Sequence, residues 1–236
     1  MSNKLILGDG LLGSELVKQT KWDCISRKKD NIDFNDINSY KNYLNDYDEI
    51  INCIAYTNTY DLNKEPNWNI NYKAVVDLVD FLKNTDKKLI HYSTDYVYAN
   101  SKPNVSEDDV PVHCENWYGY TKLLGESYVE LKLDNYLIIR GTHKPTPFKF
   151  DEAFINQIGN FDYIYNVVKI HIDLINGDAK GVYNVGTEIK TMHDLAKRTK
   201  EDVKPVNKKF HPTMPNDVTM NLNKLTNKLR DINDKK

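Results

Sequence analysis

A short apolar run, Lys4-Leu5-Ile6-Leu7, ends abruptly at Gly8-Asp9-Gly10-Leu11-Leu12-Gly13, and the chain then reads as a helix over residues 14–18. No other feature of the sequence restricts the fold as much. Strand, tight turn and helix in that order, with glycines at G-x-G-x-x-G, form the context in which a dinucleotide-binding turn works. Gly8 allows the turn, Gly10 lets the backbone approach a pyrophosphate, and Gly13 lets the helix close onto the sheet. The free N–H groups at the helix start, around Leu11 and Leu12, then face the anion. The same string also occurs by accident as a glycine-containing turn without a ligand, so its weight depends on the residues further along the chain.

A chain of 236 residues can bury a substantial core, as one domain or as a large domain with a smaller lobe. With 32 basic and 34 acidic side chains, a net charge of -2 and no long block of one sign before the last residues, neither nucleic acid nor a membrane surface is an expected partner. Cys24, Cys53 and Cys114 are widely spaced with no C-x-x-C pair, so neither a disulfide scaffold nor a metal site is expected. No apolar run approaches transmembrane length, and the first residues lack the hydrophobic segment of a secretory signal. The expected compartment is the cytoplasm.

Trp22-Asp23-Cys24-Ile25-Ser26 reads as a second strand, followed by Arg27-Lys28-Lys29. At that place in a dinucleotide fold an acidic residue binds the adenosine ribose, whereas a basic one accommodates a 2′-phosphate. Ser26, Arg27 and Lys28 therefore favour NADPH, with NADH as the alternative, and Asp33 is expected beside the adenine. Asn38 or Ser39 is expected to cap a short helix through Leu44. The next strand, Glu49-Ile50-Ile51-Asn52-Cys53-Ile54, delivers Ile54, Ala55, Tyr56 and Thr57 to the C-terminal edge of the sheet, where open α/β sheets bind ligands. A helix opened by Pro66 carries Ile70, Ala74, Val75, Leu78, Val79 and Leu82 at core spacing, with Asn71 as a polar helix–loop hydrogen-bonder.

Leu89-Ile90-His91-Tyr92-Ser93 is the next strand and brings Thr94-Asp95-Tyr96 to the same edge. Further on, Tyr118 and Lys122 are four apart and share a helix face. A phenol is a poor proton donor–acceptor at neutral pH unless a cation is held beside it, and Lys122 supplies one. A hydroxyl from Thr94 or Ser93 completes a pocket around a carbonyl oxygen. Alone, Y-x-x-x-K is weak; in series with the glycine turn and a strand-borne hydroxyl it describes a reductase site.

Four segments carry a resemblance: Gly8 to Gly13, Asn52-Cys53-Ile54-Ala55-Tyr56-Thr57, Ser93-Thr94-Asp95-Tyr96-Val97-Tyr98, and Tyr118-Gly119-Tyr120-Thr121-Lys122-Leu123-Leu124-Gly125-Glu126. With them the chain resembles the extended short-chain dehydrogenases/reductases, most of all the dTDP-4-dehydrorhamnose reductase family, over about residues 1–140. The resemblance implies reduction of the 4-keto group of a nucleotide-activated deoxy sugar. It makes Thr94 the hydroxyl on the keto oxygen, Tyr118 the proton donor, and Lys122 the residue that binds the nicotinamide ribose and depresses the tyrosine pKa. It also implies a homodimer; Trp68 and Tyr72, beside the apolar stripe of the Pro66 helix, are the sequence motive for that association. A nucleotide-sugar epimerase or dehydratase using NAD is the alternative within the superfamily, and a non-catalytic nucleotide-binding regulatory subunit the alternative outside it.

The expected architecture is α/β: a Rossmann-type doubly wound parallel sheet over residues 1–140 and a small substrate-binding lobe over 141–236, of which about 165–190 returns to the sheet. Tyr136-Leu137-Ile138-Ile139-Arg140 is the strand after the Tyr118 helix, and Gly181-Val182-Tyr183-Asn184-Val185-Gly186 a late strand. Short helices are expected over 151–158, 167–175, 192–199 and 222–229. The lobe is shorter than the resemblance implies.

Overall fold

Leu5, Ile6 and Leu7 are all essentially inaccessible to solvent, which a strand with one wet face could not achieve. The computed structural model describes residues 2–59, 61, 63–99, 101–109, 116–207 and 215–235; Cys114 lies outside them. Strands β1 (Lys4–Leu7), β2 (Asp23–Ile25), β3 (Glu49–Asn52), β4 (Lys88–Tyr92) and β5 (Tyr136–Arg140) join the late strand Gly181–Asn184 in one six-stranded sheet. The order across it is late strand, β5, β4, β3, β1, β2, and every pairing is parallel.

Side chains alternate between the two covered faces. Ile6, Ile51, Ile90, Leu137 and Ile139 pack with Leu12 and Leu16 of helix α1 (Leu11–Thr20) and with Val167, Val168 and Leu174 of helix Ile164–Asn176. Leu5, Ile50, Leu89 and Ile138 point the other way, onto Val75, Leu78, Val79 and Leu82 of helix Ala74–Leu82 and Val129 of helix Trp117–Lys132. From β1 the chain runs outward through α1 to β2 and then crosses back to β3. That reversal opens a crevice beyond the C-terminal ends of β1 and β3, the usual ligand position in such sheets.

The segment expected as one helix from Pro66 is divided: a helical turn Glu65–Asn67, a π-helical stretch Trp68–Lys73, then Ala74–Leu82. Five of the six expected core residues are buried, but Ile70 is only half-buried because the wider turn rotates it off the stripe. Asn71 is buried in its place, and the Trp117 helix passes so close that a Cβ on Gly125 would lie 2.6 Å from the Asn71 carbonyl oxygen. Trp68 packs on Tyr72 and stacks on Trp117 within the chain.

Two local expectations are corrected. Asp36, not Asn38 or Ser39, caps the turn before Leu44; its Oδ1 accepts from the Asn38 N–H at 3.0 Å, and two 3-10 segments, Ile37–Ser39 and Lys41–Asp46, replace the helix. Residues 151–158 hold two short strands, Glu152–Phe154 and Ile158–Gly159, rather than a helix. An apolar run this short suits either form, and partners decide it. Glu152–Phe154 pairs with Lys204–Val206, and Ile158–Gly159 lies between Lys190–Thr191 and Asp217–Val218. Helices Met192–Lys197 and Asn223–Asn233 form where helices were expected.

Under the cleft, Arg140 at the end of β5 is buried and binds Glu126 of the Trp117 helix at 2.5 Å. Its Nη1 also donates to the Tyr98 hydroxyl, which in turn donates to Asn184 Oδ1 of the late strand at 3.0 Å. Breaking a buried pair on one side strands the other charge. Glu126→Ala is expected to destabilise the protein by about 3–5 kcal/mol, read as a lower urea midpoint at unchanged denaturant slope.

Candidate active site

Gly8 adopts φ +96°, and its N–H donates to the Ile25 carbonyl at 2.9 Å, which ties the turn to the end of β2. A Cβ on Gly13 would lie 1.9 Å from the Gly8 carbonyl oxygen, so helix α1 can start where it does only with glycine there. Gly10, the N-cap of α1, has nothing within 4 Å of its Cβ position and opens on a cavity. No side chain caps this helix start and no acidic residue occupies its first turn. An open backbone cradle beneath an uncompensated helix N-terminus fits a pyrophosphate.

That cavity, of about 350 Å³, is lined by Gly10, Leu11, Leu12, Ile54, Ala55, Thr57, Thr94, Tyr118 and Lys122, nine of the residues singled out from the sequence. Thr94 caps the 3-10 turn Asp95–Tyr98, accepting from the Tyr96 N–H at 3.2 Å. Asn116 caps the Trp117 helix through its side chain, which accepts from the Gly119 N–H, and this sets Tyr118 in the first turn and Lys122 one turn deeper. Lys122 is 1% exposed and donates to the Tyr92 carbonyl.

The electrostatics differ from the expectation that Lys122 lowers the Tyr118 pKa. Burial pushes the phenol up to about 12, a hydrogen bond with Thr94 works against that rise, and the nearby Asp95 charge adds to it. The ammonium is committed to the Tyr92 carbonyl and is itself pushed down to about 8 by burial, with Glu126 offsetting part of the fall. His143, also in the lining, is driven down to about 4 by burial and by the neighbouring Lys144 charge, and is neutral at physiological pH.

Other predicted residues stand outside the cavity lining. Tyr56 is clamped on both sides of its peptide by Asn71, whose side chain accepts from its N–H at 2.8 Å and donates to its carbonyl at 3.0 Å; the phenol turns away to Asp61. Asn71 therefore does act as a helix–loop hydrogen-bonder, fixing the segment that carries Ala55 and Thr57. Ser26 is buried and caps the turn Arg27–Asp30, with its own N–H held by Asp30 at 2.7 Å. Arg27, Lys28 and Asp33 are exposed, and Asp33 accepts from the Asn35 N–H at 3.0 Å.

Sequence reasoning assigned no site role to Cys53, Thr59, Tyr92, Tyr96 or the run Gly141 to Lys144, all of which line the cavity. The signal was available for the last run: it leaves the C-terminal end of β5, an edge where ligands gather. A second cavity of about 940 Å³, lined by residues after β5 including Phe148, Phe154, Gln157 and Met192, shares Thr57, Thr59, Tyr96 and Lys144 with the first.

The two glycines separate shape from function. Gly13→Ala is expected to cost about 1–3 kcal/mol through overpacking, whereas Gly10→Ala, at φ -65° in open space, should leave stability within about 0.5 kcal/mol and weaken dinucleotide binding; urea unfolding and calorimetry read the two effects. Lys122 has a folded pKa of about 8 against an unfolded value of 10.5. The unfolded chain thus holds more protons between those values, and the contribution of this group to stability rises with pH across that window. Lys122→Met should raise stability at pH 7 by up to about 3 kcal/mol, less the lost hydrogen bond. That advantage should shrink as pH climbs from about 8 to 10.5 in urea titrations.

A parallel sheet wound on both faces, with Thr94, Tyr118 and Lys122 sharing one cavity with Gly10, defines the extended short-chain dehydrogenase/reductase fold. The chain belongs to the RmlD substrate binding domain family, whose model matches residues 3–143. It is 31% identical over 138 residues to the "Probable low-salt glycan biosynthesis reductase Agl14" of Haloferax volcanii, covering 56% of this chain and 45% of that one. The chain spans about half the length of the curated relatives it matches. Its fold is similar to that of a hypothetical dTDP-4-dehydrorhamnose reductase from Sulfolobus tokodaii, with TM-score 0.81, 23% identity, and 95% and 94% of the two chains covered. It is also similar to dTDP-4-dehydrorhamnose reductase from Bacillus anthracis in complex with NADP, with TM-score 0.80, 22% identity and both chains covered in full. Both likenesses extend past residue 143, beyond the residues that the family match reaches.

Proposed function

We propose that this protein is an NADPH-dependent reductase of the 4-keto group of a nucleotide-activated deoxy sugar. The observation that carries the reading is the convergence of Thr94, Tyr118 and Lys122 on the cavity that Gly10 opens into. The NADP bound by the Bacillus anthracis protein supports the choice of cofactor. Bound in this cavity, the reduced nicotinamide supplies the hydride. The Gly10 backbone and the start of α1 hold the pyrophosphate, Arg27 and Lys28 take the 2′-phosphate, and the ammonium protons of Lys122 not given to Tyr92 bind the nicotinamide ribose.

Thr94 orients the keto oxygen, and Tyr118 gives its proton to the oxygen as negative charge develops there. The raised Tyr118 pKa suits that direction. A phenol held near 12 is fully protonated at neutral pH, and an alkoxide is the stronger base, so transfer runs toward the product. Burial, with the nearby Asp95 charge adding to it, keeps the phenol protonated until that base appears.

The test is oxidation of NADPH with a panel of nucleotide-activated 4-keto sugars, run beside NADH. Turnover with at least one sugar and a preference for NADPH are expected. Arg27→Ala with Lys28→Ala should erase the preference. Tyr118→Phe should lower the single-turnover rate by about 100-fold or more while cofactor affinity stays unchanged; a parent-like rate would remove Tyr118 as the acid. Interconversion of sugar epimers with NAD and no net oxidation of NADPH would replace reduction with epimerisation.

A further inference from the structure

Lys144 stands in the wall common to both cavities. On the inner side it shares the lining with Thr94, Tyr118 and Lys122, and on the outer side with Phe154 and Gln157. Its backbone is fixed by the parallel pairing of His143–Lys144 with Asp162–Tyr163, so its position does not depend on a loose loop. Among the described residues its side chain makes no hydrogen bond and no ion pair, and the opposite charge that acts on it is Asp95.

Asp95 is a weak counterion. Its Oδ1 accepts from Thr142 at 2.6 Å and Thr94 at 3.2 Å, its Oδ2 has no hydrogen-bond partner among the described residues, and burial raises its pKa. Burial likewise lowers the pKa of Lys144. The side chain is half-buried and lines both cavities, so an ammonium with no hydrogen-bonded partner stands within reach of an anion entering the cleft. The remaining cations in the two linings are differently placed: Lys122 is held by Tyr92 at the reaction centre, and Lys204 is exposed in a stretch of wall that also carries Asp151 and Glu152.

In a nucleotide-activated sugar a diphosphate joins the anomeric carbon to the nucleoside. With the reacting carbon at Thr94 and Tyr118 and the nucleoside in the larger outer cavity, that diphosphate has to cross the shared wall. We propose that Lys144 binds the diphosphate of the nucleotide-activated sugar where it passes between the two cavities. The assignment rests on the substrate class given under Proposed function. A carboxylate on the sugar ring would offer the same negative charge from a second source, and the experiment separates the two.

Calorimetric titration of UDP, dTDP, UMP, dTMP and glucuronate into the cofactor-free protein is compared for the parent, Lys144→Gln and Lys144→Arg. The parent is expected to bind at least one nucleoside diphosphate. Lys144→Gln should weaken that binding roughly 10- to 100-fold, leave the corresponding monophosphate and NADP+ nearly unaffected, and keep the thermal midpoint of the parent. Lys144→Arg should restore most of the loss. Equal nucleoside diphosphate affinities in parent and Lys144→Gln overturn the role of Lys144 alone. Loss of glucuronate binding with nucleoside diphosphate binding intact overturns the diphosphate assignment in favour of a ring carboxylate. Failure of the parent to bind any of the nucleoside diphosphates overturns the substrate class and this role with it.

Discussion

The central sheet has no wet face. Because Leu5, Ile50, Leu89 and Ile138 are sealed on one side and Ile6, Ile51, Ile90 and Leu137 on the other, polar chemistry is excluded from the middle of the strands and confined to their ends. The parallel direction of all six strands brings their C-terminal ends to one edge. There the glycine turn after β1, the Cys53 to Thr57 segment after β3, Thr94 after β4 and Gly141 to Lys144 after β5 meet around one cavity. The site is thus a product of strand direction and two-sided burial, with the helices fixing which side chain stands where.

Beneath that edge lies an unusual density of buried polar groups. Asn52 and His91 contact each other across β3 and β4 at 3.2 Å, while His91 Nε2, the Tyr92 hydroxyl, Ser93 Oγ and Asp95 Oδ2 are buried without partners among the described residues. They fall in one run at the end of β4. Such atoms weaken a fold unless a bound molecule or a catalytic step uses them, and Tyr92 and Ser93 both border the cavity. Lys122 belongs to the same pattern, since a charge that lowers stability at neutral pH is kept at the place where it can reach a ligand.

The elements read most securely from the sequence were those written in local patterns. Short continuous apolar runs marked the strands, G-x-G-x-x-G marked the turn, and four-residue spacing put Tyr118 and Lys122 on one helix face. What escaped was set by distant contacts. The π-helical stretch at Trp68–Lys73 answers to the close approach of Gly125, and the strand Glu152–Phe154 to a partner about fifty residues on; neither has a local signature. The upward shift of Tyr118 and the solitary charge of Lys144 depend on burial and on Asp95, which sequence spacing does not report.

Asn184 has one further consequence, for a chain emerging from a ribosome. Its side chain accepts from Tyr98 and donates to the Val105 and Asn221 carbonyls, and its strand covers the outer edge of β5. Until residues 181–184 are synthesised, β5 presents an unpaired parallel edge, and Tyr98, already engaged by Arg140, lacks its acceptor on the late strand. The first 143 residues, although they carry the family match, lack the sixth strand of their own sheet. The nascent protein therefore passes through a stage with Thr94, Tyr118 and Lys122 made and its sheet one strand short, the stage at which a strand-pairing partner from another chain or a chaperone would meet it.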